Sequence, residues 1–145
     1  MKKIILTTLI GLATLTSCTS NVGQKNEERR ANFAEMIDVP TTIEFNEMNF
    51  DFGTITDGDL VSHVFTFKNT GDKDLILIAV KASCGCTVPE DWPKHPLAPG
   101  DSGEIKVTFN SADKLGNIRK TIRIEANTSP TLTTLAITGV VEQVK

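Results

Sequence analysis

The chain has 145 residues, of which 15 are Lys or Arg and 18 are Asp or Glu, and its formal charge is −3 at pH 7. This length corresponds to one domain. The acidic balance, without a concentrated basic patch, argues against nucleic-acid binding, which needs a positively charged footprint.

Residues 1–17 are typical of a secretory signal peptide. Lys2 and Lys3 precede a mostly apolar run over residues 4–15, which is shorter than the roughly 20 residues that span a bilayer. The run leads into LTSC, which resembles the lipobox of bacterial lipoprotein signal peptides. The resemblance implies cleavage before Cys18 and attachment of fatty acyl chains, such as palmitate, to the mature N-terminus.

Cleavage before Cys18 changes the net charge of the protein, and the charge indicates how it is held at the membrane. It removes two lysines and no acid, so the formal charge falls from −3 to −5. Anionic lipid does not attract an acidic protein, and we therefore expect acyl chains to hold it at the cell envelope. Thr19 follows Cys18 in place of the aspartate that retains some lipoproteins at the inner membrane. This predicts an outer-membrane lipoprotein that faces the periplasm.

Residues 18–41 are predicted to form the lipidated cysteine and a mostly disordered tether. Residues 19–26 are polar and have no periodic apolar pattern, as in a flexible spacer. A short helix over residues 26–37 is the alternative, but it would be too short to be stable alone and would end before Pro40. The folded domain is therefore predicted to occupy residues 42–145.

From Thr41 onward the apolar residues repeat with a period of two, as in half-buried strands. Seven short segments follow this pattern or are apolar on both faces: residues 43–45, 48–52, 61–67, 75–80, 105–109, 118–124 and 135–137. The apolar phase slips by one residue near Asn46, which indicates a bulge or a turn between the first two segments. The connections are too short for helical crossovers. The sequence therefore predicts an all-β fold, an antiparallel sandwich of two sheets with about seven strands.

Several motifs occur in an order that resembles a bacterial envelope family called domain of unknown function 1573. They are FDFG at 50–53, FTFKNTG at 65–71, CGCT at 84–87, LAPG at 97–100 followed by GEI at 103–105, and ITGVV at 137–141. The resemblance covers residues 44–141. It implies an immunoglobulin-like sandwich, similar to domains of ciliary and centrosomal proteins and to the major sperm protein, and it implies no established activity.

Cys84 and Cys86 are the first candidate site. On one strand they would point the same way, roughly 6.6 Å apart. A disulfide would need Gly85 to bend the backbone, and its small ring would add little stability and would suit a redox role. The pair could instead bind copper or zinc, with His95 as a third ligand, or it could be a passive pair that closes a turn. The sequence leaves these three interpretations open and requires no cofactor.

The loop over residues 88–100 is the second candidate site. Four prolines stiffen this segment, which carries Trp92, Pro93 and His95. Loops commonly carry function, and tryptophan is favoured at binding hot spots. The loop is therefore a candidate recognition surface. The alternative is that Trp92 folds back and plugs the open end of the sandwich.

No motif of a known catalytic class is present, so we predict that the protein is not an enzyme. His63 lies in phase with Phe65 and Phe67, which favours a place at the edge of the core over a ligand role. The predicted function is that of a lipid-anchored, non-catalytic binding or structural module, which engages a protein or peptide by strand addition or through its end loops. The alternative is a thiol-redox or copper-handling periplasmic protein that uses Cys84 and Cys86.

Overall fold

The computed structural model describes residue 27, residues 31–32 and residues 34–143. The predicted signal peptide, the lipidation site Cys18 and most of the predicted tether lie outside the described residues. Eight strands follow along the chain: β1 Ile43–Phe45, β2 Asn49–Thr56, β3 Leu60–Asn69, β4 Leu77–Ala82, β5 Thr87–Asp91, β6 Ser102–Asn110, β7 Gly116–Ala126 and β8 Leu132–Glu142. In this part of the chain no helix has the length and apolar character needed to cross a bilayer.

The strands form two four-stranded sheets, in the orders β1-β3-β6-β5 and β2-β8-β7-β4. Their inward-facing side chains make one core, because alternate residues of each strand point to the same face. Five of the largest core side chains are fully buried: Phe65, Ile105, Phe109, Ile122 and Leu135. The prediction of an all-β sandwich of two sheets is confirmed. One pairing differs from the predicted antiparallel pattern, since β2 runs parallel to β8.

Near Asn46, where the apolar phase of the sequence slips by one residue, the chain passes from the first sheet to the second. The backbone N–H of Asn46 donates to the Thr66 carbonyl in the first sheet at 3.1 Å. Two residues later, the Met48 carbonyl accepts from the Ala136 N–H in the second sheet at 2.8 Å. The inward-facing phase changes here because the core lies on opposite sides of the two sheets.

Strand β5 was not predicted, because Pro89 and its neighbours read as a loop. The Asn110 N–H donates to the Cys86 carbonyl at 2.8 Å. In an antiparallel ladder the backbone N–H and C=O groups of alternate residues point to the same neighbour, so those of Cys86 and Val88 face β6, while the backbone of Pro89 faces away from it. A proline whose missing N–H points away from the ladder removes no hydrogen bond. β5 is therefore an edge strand that tolerates its proline, and it raises the strand count from about seven to eight.

His63 closes one edge of the core, as its phase in the sequence predicts. Its ring stacks on Phe50 of the opposite sheet, with centroids 3.7 Å apart, and meets the edge of Phe65 at 4.7 Å. Its Nε2 lies 3.0 Å from Glu47 Oε1. The imidazole thus joins the two sheets, and its position at the edge leaves it within reach of a carboxylate.

The described end of the predicted tether is ordered and bound to the sandwich. Residues 34–38 are helical. The buried Asn127 donates from Nδ2 to the carbonyls of Met36 at 3.2 Å and Val39 at 3.0 Å, and its own carbonyl accepts from the Thr41 N–H at 2.8 Å. One buried amide therefore binds the segment that leads into the sandwich.

Candidate functional site

Residues 83–86, here called the cysteine turn, connect β4 in one sheet to β5 in the other. The Ser83 N–H donates to the Thr121 carbonyl of β7 at 2.9 Å. At the other end the Cys86 carbonyl accepts from the Asn110 N–H of β6 at 2.8 Å. The turn is therefore held at both ends, once by each sheet.

Cys84 and Cys86 form a disulfide across this turn, with their Cα atoms 5.3 Å apart. That separation lies within the roughly 4.4–6.8 Å of ordinary disulfides. It is shorter than expected for an extended strand because both residues lie in a turn. Gly85 does not use a left-handed conformation, and a Cβ there would have no heavy atom within 4 Å apart from its chain neighbours. The turn therefore does not depend on the glycine, contrary to the sequence prediction.

The surroundings of the disulfide differ on its two sides. Cys86 is half-buried and packs against the hydrophobic core. Cys84 is also half-buried, with the Thr87 hydroxyl oxygen 3.8 Å from its Sγ. Beside Gly85 the space is open. Gly85, between the two cysteines, thus lies on the solvent-facing side of the turn.

The predicted metal ligands Cys84, Cys86 and His95 are not brought together. His95 is exposed and lines a different surface, beside Trp92. Among residues 34–143, no three His, Cys, Asp or Glu side chains are placed to hold a metal ion. With both sulfurs in a disulfide, the pair also offers no thiolate ligand in this state.

Trp92, Pro93 and His95, the predicted recognition residues, do lie along one open groove of about 600 Å³. The groove, here called the Trp92 groove, is also lined by Asp91, Lys94 and Glu104. Trp92 is half-buried and packs against the core. Trp92 therefore packs against the core and also lines the groove, and its role in recognition stays a prediction.

The groove lies where β5 stops covering the edge of β6. The last pair between these strands is Asp91 with Lys106, whereas β6 begins at Ser102. The hydrogen bond from the Asn110 N–H to the Cys86 carbonyl shows which residues of β6 face β5. Every second residue of β6 directs its N–H and C=O to that side, and Glu104 is one of them. No hydrogen bond in the described part of the chain reaches the Glu104 backbone from the β5 side. An unpaired strand edge therefore faces the groove.

Gly103 lines the groove with its backbone, and the side on which a Cβ would stand faces the core. A Cβ at this position would collide with the Phe67 ring and would lie 3.0 Å from Leu97 Cδ1. Phe67 and Gly103 are register partners in β3 and β6, so the aromatic ring fills the space that a side chain would need. The absence of a side chain therefore makes room for the Phe67 ring inside the core.

The charged side chains of the groove are unevenly paired. Lys94 Nζ lies 2.8 Å from the centroid of the Trp92 ring. Outside the groove, Glu90 and Lys106 form an ion pair of 2.8 Å, and the hydrogen bond from Lys106 lowers the pKa of Glu90 below its ordinary value. Among the described residues neither Asp91 nor Glu104 has a basic partner within 4 Å. Lys106 nevertheless offsets part of the Asp91 charge, because its pKa is raised first by Glu90 and also by Asp91, its register partner.

Sequence reasoning did not single out Glu104 or Lys94. The role of Glu104 depends on its backbone, which becomes visible only when the strand pairing is known. Lys94 reads as an ordinary exposed lysine in the sequence, and its position two residues after the only tryptophan was the one available signal.

The fold resembles several solved structures at low sequence identity. A protein of unknown function from Porphyromonas gingivalis W83 aligns with a TM-score of 0.62 and 17% identity, over 72% of this chain and 48% of that one. The ASH/PapD-like domain 7 of human CEP192 aligns with a TM-score of 0.54 and 12% identity, over 95% and 100%. The secreted serine protease VesC from Vibrio cholerae aligns with a TM-score of 0.54 and 14% identity, over 75% and 24%. These likenesses show the fold alone.

The chain spans about half of the Porphyromonas protein and about a quarter of the Vibrio protease. None of the curated proteins matches it. A family profile matches residues 43–141, from the first residue of β1 into the end of β8. The match confirms the family resemblance drawn from the motifs, and the chain belongs to the family described as protein of unknown function (DUF1573).

Proposed function

We propose that the protein is a lipid-anchored, non-catalytic binding module of the bacterial envelope, which faces the periplasm from the outer membrane and holds an extended polypeptide in the Trp92 groove. The anchor and the position are supported by the signal-peptide pattern and by Cys18 and Thr19. The binding role is supported by the groove.

The observation that carries the binding role is the uncovered edge of β6 at Glu104. An extended peptide along this edge would bond to the N–H and C=O of Glu104, the main-chain pairing that strand addition uses. Each such bond contributes roughly 1 kcal/mol net, so side chains must supply much of the affinity. Trp92 lies beside the same edge, and tryptophan is among the residues that contribute most at interfaces.

The other sheet edges are less suited to strand addition. β1 has three residues, and β5 carries a proline on its outer edge. β2 and β4 both shift register along their length. Short strands, prolines and bulges are the features by which natural sheet edges avoid pairing. The Trp92 groove is the edge that combines open backbone groups with an aromatic ring.

Site-specific photo-crosslinking in living cells tests the binding role. A photoreactive residue in place of the exposed His95 should form adducts with a discrete polypeptide, whereas one in place of the exposed Leu115, at the other end of β6, should not. Glu104→Pro should abolish the adducts, because proline removes the N–H that faces the groove. Glu104→Gln keeps that N–H and loses only the carboxylate charge, so it should retain the adducts at a lower yield. Adducts that persist in Glu104→Pro, or none in any variant, would refute the proposal.

The lipid anchor is tested separately. Globomycin should block processing of the precursor, and labelled palmitate should enter the native chain but not a Cys18→Ser variant. The native protein should fractionate with the outer membrane. A processed, soluble protein without label would contradict the anchor and leave the groove untouched.

A second candidate function, thiol–disulfide exchange, is favoured by the Cys84–Cys86 disulfide and its open side. A thiolate of a partner dithiol would attack one sulfur, form a mixed disulfide and release the other sulfur as a thiolate. The second thiolate of the partner would then resolve the mixed disulfide. The partner leaves as a disulfide, and this protein gains two electrons and two protons as a dithiol.

Alkylation followed by mass spectrometry tests this second candidate. In glutathione buffers that span envelope potentials, the native chain should gain and lose two reactive thiols reversibly, and a Cys84→Ser/Cys86→Ser variant should gain none. A pair that stays oxidised, or stays reduced, across all these buffers would eliminate exchange. Copper handling, the other part of this alternative, stays a prediction, and it would require the reduced dithiol as the source of thiolate ligands.

A further inference from the structure

We infer that the Trp92 groove selects a basic side chain, Lys or Arg, of the bound polypeptide, and that Lys94 occupies the place of this side chain in the free protein. The inference rests on the binding role proposed above and specifies the chemistry of the ligand.

The first argument is the position of Lys94 on the Trp92 ring. Its ammonium lies 2.8 Å from the ring centroid. An aromatic face attracts a cation through the ring quadrupole, and tryptophan does so best. Lys94 is exposed, and in the described part of the chain it has no carboxylate within 4 Å. The ring therefore holds this cation without an ion pair, and the same face can hold a cation from another chain.

The second argument is the charge of the groove walls. Asp91 and Glu104 are exposed and have no basic partner within 4 Å among the described residues. When the adjacent Glu90–Lys106 pair is included, three carboxylates stand against two ammonium groups, so this surface keeps a net charge of −1. The formal charge of −5 expected after signal-peptide cleavage has the same sign. The local charge of the groove and the net charge of the protein both favour a basic ligand over an acidic one.

The third argument is strand geometry. A ligand residue that pairs opposite Glu104 directs its side chain to the same face as the Glu104 carboxylate. A basic side chain is the favourable cross-strand partner there, and an acidic one is repelled. Lys94 must leave the Trp92 ring before a basic ligand side chain can occupy it. Lys94 therefore acts as a competitor that lowers the affinity for every basic ligand.

Intrinsic fluorescence offers a direct test, because Trp92 is the only tryptophan and the chain has no tyrosine. The full chain, purified in detergent micelles, is titrated with short acetylated peptides in which Thr alternates with Lys, Gln or Glu. The lysine peptide should shift the Trp92 emission and bind roughly tenfold tighter than the glutamine peptide at low salt. The glutamate peptide should not bind, and the advantage of the lysine peptide should shrink as salt rises.

Two matched variants separate competition from general effects of the groove. Lys94→Met keeps most of the side-chain length and removes the cation, so the affinity for the lysine peptide should rise about fivefold. Lys94→Arg keeps a cation on the ring and should stay near the native affinity. Equal affinity for the lysine and glutamine peptides, or unchanged or weaker lysine-peptide binding in Lys94→Met, would overturn the inference.

The outcomes also distinguish the two proposals. If no peptide shifts the emission while adducts at position 95 depend on the Glu104 N–H, the basic selectivity is refuted and the binding role stands. If those adducts are absent as well, both are refuted.

Discussion

The cysteine turn and the Trp92 groove lie at the two ends of β5, and they differ in how their backbone groups are used. The turn is hydrogen-bonded to β7 at one end and to β6 at the other. In the groove, β5 ends while β6 continues, and the Glu104 backbone has no partner on that side. The conspicuous sequence motif therefore marks a well-bonded connection. The unpaired backbone groups lie at Glu104, a position that no sequence motif indicated.

The largest expected effect comes from proline substitutions along β6. Thr108 pairs with Val88 of β5, so Thr108→Pro should lose a ladder bond and cost about 3 kcal/mol or more of unfolding free energy. Glu104→Pro should cost less than about 1 kcal/mol, because its N–H has no ladder partner and Gly103 before it relieves steric crowding. Urea denaturation of both variants measures the difference. Equal losses would mean that the β6 edge at Glu104 is paired after all.

Two glycine substitutions sharpen the comparison at an intermediate magnitude. Gly103→Ala places a Cβ against the Phe67 ring, and such overpacking should cost about 1–3 kcal/mol. Gly85→Ala meets only open space and an ordinary backbone conformation, so its effect should stay within about 0.5 kcal/mol. Thermal unfolding of the two variants checks this order, and a reversed order would contradict the packing described for both sites.

Removal of the disulfide should have a smaller effect still. Cys84 and Cys86 are two residues apart, and closing so small a ring restricts the unfolded chain little. The Cys84→Ser/Cys86→Ser variant should therefore lose no more than about 1.5 kcal/mol. Reduction of the native protein should lower the urea midpoint by a similar amount. A loss above about 3 kcal/mol would show that the disulfide acts as a structural staple.

The smallest expected effect is the pH dependence of the Glu90–Lys106 pair beside the groove. The hydrogen bond from Lys106 lowers the pKa of Glu90 in the folded protein, so the pair stabilises the fold above the unfolded pKa of Glu90. This contribution is lost as pH falls through the folded pKa. The stability difference between the native protein and Glu90→Gln should therefore vanish at acid pH. It should also shrink in high salt, because the pair is exposed. A stability difference between the two proteins that grows toward acid pH would refute the lowered pKa of Glu90.

Much of the fold was open to sequence reasoning, because alternation of apolar residues is a local signal. The runs that contain Phe65, Val107 and Ile122 were predicted as strands with these side chains inward, and all three are buried. Strand β5 was missed because Pro89 is a local signal against a strand, and only its outward position at a sheet edge makes it acceptable. The contact between the sandwich and the segment that leads into it was not predictable, because Asn127, whose amide binds the carbonyl of Met36, is far away in the sequence.

The candidate sites show the same difference between features that depend on local sequence and features that depend on long-range contacts. Cys84, Cys86 and Trp92 were identified by residue type, since thiols and a lone tryptophan carry chemistry wherever they lie. The disulfide geometry was not predictable, because it depends on a turn between two sheets. The Lys94 contact and the unpaired Glu104 backbone were not predictable either, because they depend on where one strand ends beside another.

The sequence by itself determined the secondary structure class and the core-facing residues, because these depend on neighbours within a few positions, whereas the location in the cell envelope stays a prediction. The tertiary structure alone decided which strand edges are covered, that β2 runs beside β8, and that His95 does not join the cysteines. Backbone hydrogen bonds between strands carry no residue identity, so an uncovered edge leaves no mark in the sequence and appears only when all its neighbours are in place.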